Sequence, residues 1–282
     1  MNTDKSKKQA HPLRITRREA LARVGKLGVL AGVVGPAALR SFAVAATPGF
    51  KFIVVNDTHY MSDECGRYLE GLVRQMNREG AAFCLHAGDL TEKGEPKHLK
   101  AVRKIFSRLD APFYPVLGNH DYLTPTDRRA YTSTFPLRVN YSFRHEGWQF
   151  IALDTTEGQK YFGSRIQPAT FRMLDDIQGR LKKTKPTIVF THFPLCASVR
   201  TCPVNADDLL AKFDGWDVRA FFSGHFHGFT ECERGAAKIT TNRCCALKRN
   251  NHDNTKQKGY FVCEVEGDTL IRRFVEYDGK GV

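Results

Sequence analysis

Five strand-forming runs of this sequence each end in a short polar segment that contains histidine, aspartate or asparagine. The runs are rich in Phe, Ile, Val and Leu, a composition that predicts β-strands. In open α/β sheets, binding clefts form at the carboxyl ends of the strands, so we expect the polar segments to share one site. The segments are Asn56-Asp57-Thr58-His59, Ala87-Gly88-Asp89, Gly118-Asn119-His120-Asp121, His192 and Ser223-Gly224-His225-Phe226-His227.

The segment Gly118-Asn119-His120-Asp121 offers an amide oxygen, an imidazole and a carboxylate in three consecutive residues. Taken alone, it is typical of a surface turn, because Gly, Asn and Asp each favour turns. The other four strand ends carry the same kinds of residue, which favours a functional site instead.

The order of the predicted elements indicates an α/β fold. Apolar residues at helical spacing predict helices near 65–79, 96–109 and 168–183. Strands are predicted at 50–56, 82–87, 113–117, 139–144, 148–153, 187–191, 218–223, 236–241, 259–265 and 269–276. Strands and helices alternate in the first half and strands dominate the second, so we expect two mixed sheets with helices outside. No internal repeat or Ser/Gly/Pro-rich linker divides residues 46–282, which predicts one domain.

Residues 1–45 have the pattern of an export signal. Arg17-Arg18 precede an uncharged run of 13 residues, Leu27 to Leu39, and Ala43-Val44-Ala45 follows as a cleavage site. The run is shorter than the roughly 18 residues of a membrane span. The paired arginines resemble the twin-arginine signal of bacterial proteins that are exported folded. This resemblance implies the twin-arginine machinery as a partner, a periplasmic or otherwise exported location, and no stable membrane insertion after processing. The general secretory route and an uncleaved anchor are the alternatives.

The formal net charge of +13 comes largely from the same segment. Residues 1–45 hold nine Lys/Arg and two Asp/Glu, so they contribute +7 and leave +6 for residues 46–282. A mild positive charge suits an anionic substrate, but nucleic-acid binding requires a clustered basic stripe. We therefore expect a small anionic substrate and no nucleic acid.

Seven side chains at the strand ends are candidate metal ligands: Asp57, His59, Asp89, Asn119, His192, His225 and His227. They offer nitrogen and oxygen and no thiolate. Seven ligands exceed the four of a tetrahedral zinc site and fit two divalent ions. Two ions about 3.5–4 Å apart can hold the attacking and leaving oxygens of an in-line displacement at phosphorus. The pattern therefore predicts a phosphoester hydrolase.

These segments together resemble the signature blocks of the calcineurin-like metallophosphoesterases, read here as Asp57-x-His59, Gly88-Asp89, Gly118-Asn119-His120-Asp121, His192 and Gly224-His225-x-His227. The resemblance implies a four-layer α/β/β/α sandwich with two metal ions, which can be Mn, Fe or Zn. It implies that one ion is held by Asp57, His59, Asp89 and His227. The other would be held by Asp89, Asn119, His192 and His225, so that Asp89 bridges the two.

The resemblance also implies the catalytic roles. A hydroxide that bridges the ions would attack the phosphorus of a phosphodiester or phosphomonoester. His120 would stay off the metals and protonate the leaving oxygen, while Asp121 would orient His120 and keep it cationic. The blocks look closest to small, cap-free enzymes that resemble cyclic-nucleotide phosphodiesterases, so a nucleotide is one candidate substrate. Many of those enzymes carry histidine at the position of Phe193, which leaves the substrate open.

Two other functions are compatible with this fold. A nuclease of the same superfamily usually has a capping domain and a partner subunit, and the sequence contains no second domain. A non-catalytic scaffold of the same fold has lost metal ligands, whereas every ligand block is intact here.

The sequence also suggests roles for a histidine, for three basic residues and for two cysteines outside the signature segments. His86 alternates with apolar residues inside a predicted strand, which indicates a hydrogen-bonded core histidine. The basic residues Arg243, Lys248 and Arg249 lie in a long loop and are candidates for binding a substrate phosphate. Among the eight cysteines, Cys196 and Cys202 flank a short loop after His192, and a disulfide between them would stiffen one wall of the site.

Overall fold

The computed structural model describes residues 49–279, and the predicted export signal lies outside them. The chain forms two mixed β-sheets. The strands, numbered in chain order, are β1 Phe50–Val55, β2 Phe83–His86, β3 Phe113–Pro115, β4 Tyr141–His145, β5 Trp148–Leu153, β6 Thr187–Thr191, β7 Val218–Ser223, β8 Thr230–Arg234, β9 Ala237–Thr241, β10 Gly259–Glu266 and β11 Thr269–Glu276. The helices are α1 Asp63–Asn77, α2 Pro96–Phe106, α3 Arg129–Thr134, α4 Pro168–Gln178 and α5 Ala206–Ala211. None of the helices in the described range is long and apolar enough to span a bilayer.

The first sheet has the strand order β11-β10-β1-β2-β3, and the second has the order β4-β5-β6-β7-β9-β8. In the first sheet β1, β2 and β3 pair in parallel, while β10 is antiparallel to β1 and β11. In the second sheet β5, β6, β7 and β9 are parallel, and β4 and β8 pair antiparallel at the two edges. Both sheets are therefore mixed, as the sequence predicts.

Alternation of apolar side chains along the strands explains the layers. In β1, Phe52 and Val54 enter the core between the two sheets, whereas Ile53 and Val55 face α1 and α2. In β6, Ile188 and Phe190 enter the same central core, and Val189 faces the other helices. Three apolar clusters thus separate four layers, which confirms the α/β/β/α sandwich. The parallel strands of both sheets end at the edge that carries the polar segments.

The three predicted helices begin within two residues of their predicted positions. Ser62 caps α1, and its hydroxyl accepts a hydrogen bond from the Cys65 amide at 3.4 Å. Pro96 and Pro168 occupy the first turns of α2 and α4. The predicted helix over 168–183 is too long, since α4 ends at Gln178 and Gly179 caps it. Two short helices, α3 and α5, and the strand β8 are additions that the sequence pattern did not predict.

The disulfide considered between Cys196 and Cys202 is not formed. Cys196 pairs with Cys232, which lies 36 residues further along the chain in β8. β8 folds back on β9 and brings Cys232 against the loop that follows β6, whereas Cys202 remains a free thiol. The pairing depends on a long-range contact of a strand that the sequence pattern did not reveal.

His86 is a core residue, as expected from its alternation with apolar neighbours. Its side chain is fully buried, and Nε2 lies 3.1 Å from the hydroxyl of Thr58. Burial lowers the pKa of His86 to about 3, so the ring is neutral at physiological pH.

Candidate metal centre

Four of the seven candidate ligands form one group at the carboxyl ends of β1, β2 and β7. The ligand atoms of Asp57, His59, Asp89 and His227 all lie within 4.8 Å of one another, and all four residues are buried. His59 Nε2 lies 3.0 Å from His227 Nε2 and 3.5 Å from Asp89 Oδ2. His227 Nε2 lies 3.2 Å from Asp57 Oδ1. The four side chains converge on one point, and they are the set expected for the first ion.

The remaining candidates form a second group that shares Asp89. The ligand atoms of Asp89, His192 and His225 also lie within 4.8 Å of one another. His192 Nε2 lies 3.3 Å from Asp89 Oδ1, 3.0 Å from Asn119 Oδ1 and 3.2 Å from His225 Nδ1. Asp89 therefore presents Oδ2 to the first group and Oδ1 to the second, the position of a bridging ligand.

Three of the four histidines have the outer ring nitrogen hydrogen-bonded to a backbone carbonyl, and His59 has it at ion-pair distance from a carboxylate without hydrogen-bond geometry. The contacts are His59 Nδ1 to Glu92 Oε2 at 3.0 Å, His192 Nδ1 to the Ala87 carbonyl at 2.9 Å, His225 Nε2 to the Tyr161 carbonyl at 2.8 Å and His227 Nδ1 to the Asn250 carbonyl at 3.3 Å. Carbonyl and ionised carboxylate oxygens only accept, so the ring proton belongs on the outer nitrogen. When all four rings are neutral, the inner nitrogens face one another as bare lone pairs. Without a cation, the Asp89 and Asp57 carboxylates outweigh burial and raise the pKa of His192 and His227, so these two rings take up protons instead. A metal cation between the inner nitrogens removes the lone-pair repulsion, so the residues fit a metal centre.

The backbone at the ligands is unusual. Asp57, His59, Asp89, His225 and His227 all have positive φ, with values of 51°, 42°, 55°, 65° and 49°. Residues other than glycine rarely adopt this conformation, and in folded proteins such strain is concentrated at functional sites. The pairs two residues apart, Asp57 with His59 and His225 with His227, therefore do not lie in extended backbone. β1 ends at Val55 and β7 at Ser223, and left-handed turns beyond these ends bring the side chains together.

Two glycines allow the ligand loops to approach one another closely. A Cβ atom on Gly118 would lie 2.1 Å from the Asp89 amide nitrogen and 2.2 Å from Asp89 Oδ1. A Cβ atom on Gly224 would lie 2.4 Å from Asp57 Oδ2. Any side chain at these two positions would displace a carboxylate of the centre.

His120 and Asp121 lie in a single 3₁₀ turn, Asn119–Asp121, but have different surroundings. The His120 side chain is partly exposed, and its Nδ1 lies 2.9 Å from the backbone carbonyl of Glu92. Asp121 is fully buried, and its carboxylate accepts hydrogen bonds from the amides of Leu90, Thr91 and Gly118. Asp121 therefore joins two ligand loops, while the contact expected of it with His120 is made by Glu92.

The electrostatics of the centre favour positive charge. Burial alone would raise the pKa of Asp57, but the charge and hydrogen bond of His227 outweigh burial and lower it. The same opposition holds for Asp89, where burial is outweighed by the charges of His192 and His120 and the pKa is lowered. Both carboxylates are therefore ionised in the fold and attract cations.

The comparison with protein families agrees with this geometry. Residues 50–229 match the calcineurin-like phosphoesterase family. The chain belongs to this family. It is a metal-dependent phosphoric ester hydrolase.

Similar proteins include both curated and solved examples. A probable cyclic nucleotide phosphodiesterase of Vesicomyosocius okutanii is 23% identical over 195 residues, which cover 65% of this chain and 78% of that protein. A dimetal phosphatase from Danio rerio has a TM-score of 0.64 at 15% identity, over 80% of this chain and 95% of that one. The purple acid phosphatase PPD1 of yellow lupin (Lupinus luteus) has a TM-score of 0.63 at 13% identity, over 83% of this chain and 53% of that one. The two structural matches support the shared fold.

The phosphoesterase centre opens into a cleft of about 1020 Å³. His120, Leu123, Tyr161, Arg200, Arg249 and His252 line it beside the ligands. Tyr161 and Arg200 were not predicted, because they lie in loops without a recognisable motif. The His252 ring stacks on that of His227 at 5.3 Å between centroids.

Of the three basic residues proposed to bind a substrate phosphate, only Arg249 lines this cleft. Arg249 forms an ion pair with Glu92. Lys248 pairs with Glu64, and Arg243 lies 3.3 Å from Asp253. Burial alone would raise the pKa of Glu92, but contacts with His59 and Arg249 lower it to about 2. Glu92 was not among the residues selected from the sequence, although it lies only three positions after Asp89.

Proposed function

We propose that this phosphoesterase uses a dinuclear metal centre to hydrolyse a small phosphodiester or phosphomonoester in an exported compartment. The observation that carries the proposal is the convergence of two ligand groups on the shared carboxylate of Asp89. A non-catalytic scaffold has typically lost metal ligands, whereas all seven candidate side chains lie in these two groups here. When bound, the two ions would supply the positive charge that polarises a phosphoryl oxygen and makes water acidic.

Residues of the chain account for the remaining steps. His120 has its Nδ1 at the Glu92 carbonyl, which places the ring proton there and directs Nε2 away from that contact. Protonated at Nε2, His120 balances charge on the phosphoryl oxygens and gives its proton to the leaving oxygen. The His120 amide donates to Asp89 Oδ1 at 2.9 Å, so the position of the acid is tied to the bridging ligand.

A nucleotide is the substrate that we favour, because the curated relative from Vesicomyosocius okutanii is named as a probable cyclic nucleotide phosphodiesterase. The cleft of about 1020 Å³ has room for a ligand of this size. Tyr161 and Arg200 at its wall offer an aromatic face and a cation for a base and a second anionic group.

A substrate screen tests this function. The protein spanning 46–282 would be reconstituted separately with Mn, Zn or Fe and assayed on cyclic nucleotides, nucleoside monophosphates, nitrophenyl mono- and diesters, and single- and double-stranded DNA. We expect turnover of small esters and none of DNA, with Asp89→Asn as the inactive control. Cleavage of DNA in preference to small esters would favour the nuclease, and no turnover with any metal would favour the scaffold.

Export through the twin-arginine route is the second part of the proposal, supported by Arg17-Arg18 and the Gly-containing uncharged run behind them. Replacing both arginines by lysine should leave the full-length precursor in the cytoplasm of a bacterial host, because that route recognises the arginine pair. Fractionation followed by immunodetection measures the outcome. Unchanged processing and export of the double-lysine variant would contradict this route and support the general secretory one.

A further inference from the structure

The loop of residues 242–252, between β9 and β10, lies beyond the residues that match the family and packs against the metal centre. The amide of Cys245 donates to the Asn56 carbonyl at 3.1 Å, and the amide of His252 donates to the His227 carbonyl at 2.7 Å. The carbonyl of Asn250 lies at the outer nitrogen of His227. This segment, called the 242–252 loop below, therefore contacts residues beside or within the first ligand group.

The same loop reaches a second histidine of that group through an ion pair. Arg249 donates from Nε to Glu92 Oε2 at 3.0 Å and from Nη2 to Glu92 Oε1, which makes a two-bond fork. Glu92 Oε2 in turn lies 3.0 Å from His59 Nδ1. The Glu92 side chain is 17% exposed and that of Arg249 is 35% exposed, so both are partly shielded from water. A two-bond guanidinium–carboxylate contact fixes the plane of the carboxylate as well as its position.

This arrangement has a chemical consequence at His59. The negative charge of a carboxylate 3.0 Å from Nδ1 favours the ring proton on that nitrogen, although the angle is not that of a hydrogen bond. The lone pair is then on Nε2, the nitrogen that faces Asp89 and His227. Outer partners of this kind orient a ligating imidazole and increase its basicity. The Arg249 guanidinium keeps the carboxylate turned toward His59.

The second ligand group has different outer partners. His192 is held by the carbonyl of Ala87, and His225 is held by the carbonyl of Tyr161. Neither partner belongs to the 242–252 loop. The two groups therefore differ in what supports their imidazoles.

Glu92 could instead be a metal ligand, because His59, Glu92 and His120 lie close enough to hold an ion of their own. The position of Arg249 disfavours a metal ion at this group. Its guanidinium occupies both oxygens of the Glu92 carboxylate and places a positive charge where a third cation would bind.

We propose that Glu92 and Arg249 are positioning residues that hold His59 in its metal-binding tautomer, so that the first ion depends on the 242–252 loop and the second does not. This inference rests on the dinuclear centre of the proposed function. It assigns a role to residues outside the signature blocks, one of which lies outside the matched part of the chain.

Metal affinity measured by chelator competition tests the proposal on the wild type, Glu92→Ala, Glu92→Gln and Arg249→Met, each loaded with Mn or Zn. We expect one of the two ions to bind about 10–100-fold more weakly in Glu92→Ala and Arg249→Met, with the other unchanged. Glu92→Gln keeps an oxygen that can accept from His59 and should restore part of the loss. A matched control is Glu79→Gln, because Glu79 pairs with Arg273 and its side chain is 15% exposed, but it is not among the residues that form the centre or line the cleft.

Two further readouts separate the outcomes. The ring N–H signal of His59 in nitrogen-15 NMR of the zinc-loaded protein should be present in the wild type and exchange-broadened or shifted in Glu92→Ala. Thermal unfolding without metal should be similar in all variants.

Equal weakening of both ions, or unchanged affinity for both, would overturn the proposal. A third equivalent of metal in the wild type that only Glu92→Ala loses would make Glu92 a ligand and also overturn it. A wild type that binds two ions but hydrolyses no phosphoester would overturn the proposed function and leave this test intact.

Discussion

At the scale of single residues, five of the candidate metal ligands adopt a backbone conformation that is unfavourable for residues other than glycine. This left-handed backbone costs of the order of 1–3 kcal/mol at each such residue. The sequence selected all seven candidate ligands that the structure brings together, because each follows a recognisable strand. It could not identify the backbone conformation or the Glu92–Arg249 pair, whose members lie 157 residues apart and meet only in the folded chain.

The close contact between Gly118 and Asp89 leaves no room for a side chain at position 118. Gly118→Ala should remove both ions, because the new methyl group would overlap the amide and carboxylate of Asp89 at 2.1 and 2.2 Å. Gly179→Ala is the matched control, since its Cβ atom would lie 3.5 Å from its closest contact, the Asp175 carbonyl. Metal content by elemental analysis checks the prediction. Two tightly held ions in Gly118→Ala would show that the ligand loops adjust and that the close approach is not required.

Replacing His120 should slow the chemical step without weakening metal binding. His120→Ala should retain both metals and lose about 10²–10⁴-fold in kcat on nucleotide or alkyl esters, the usual contribution of a general acid. The loss should be distinctly smaller on nitrophenyl esters, because nitrophenolate leaves well without a proton. An equal deficit on both substrates would reduce His120 to an electrostatic role, and loss of metal would make it a ligand.

At the scale of secondary-structure elements, the strand that the sequence pattern missed is the short, polar strand β8. β8 has the sequence Thr230-Glu231-Cys232-Glu233-Arg234, with charged residues on an edge strand, and lacks the apolar signal of the central strands. The central strands were predicted because their buried Phe, Ile and Val residues form nearly continuous apolar runs. The Cys196–Cys232 pairing could not be predicted for the same reason, since Cys232 lies on the strand that was missed.

The Cys196–Cys232 disulfide ties β8 to the loop after β6 and should stabilise the fold. It closes a loop of 36 residues, for which chain entropy predicts about 3–4 kcal/mol of stabilisation. The double variant Cys196→Ala/Cys232→Ala should therefore unfold at a lower urea concentration, and Cys202→Ser, at a free thiol, should change the midpoint much less. Coincident urea midpoints for the double variant and the wild type would show that this cross-link does not contribute to stability.

At the scale of the whole described chain, two sheets face each other across one aromatic core, and their parallel strands end at the same edge. This architecture brings residues separated by 168 positions, such as Asp57 and His225, into hydrogen-bond contact. Fold class and the location of the site followed from strand order and strand ends. The cleft walls did not, because loops such as the one with Tyr161 have no periodicity from which their position can be inferred.

The central claim is that two ions share Asp89, and metal content measures it directly. Elemental analysis of the protein spanning 46–282, after reconstitution and removal of loosely bound metal, should give about two ions per chain in the wild type. Asp57→Asn should retain about one ion, because the Asp57 side chain is a candidate ligand only in the first group and touches His225 of the second group only through its backbone amide. Asp89→Asn should retain almost none, because Asp89 belongs to both groups. Two ions retained in Asp89→Asn, or a single ion in the wild type, would contradict the shared dinuclear centre.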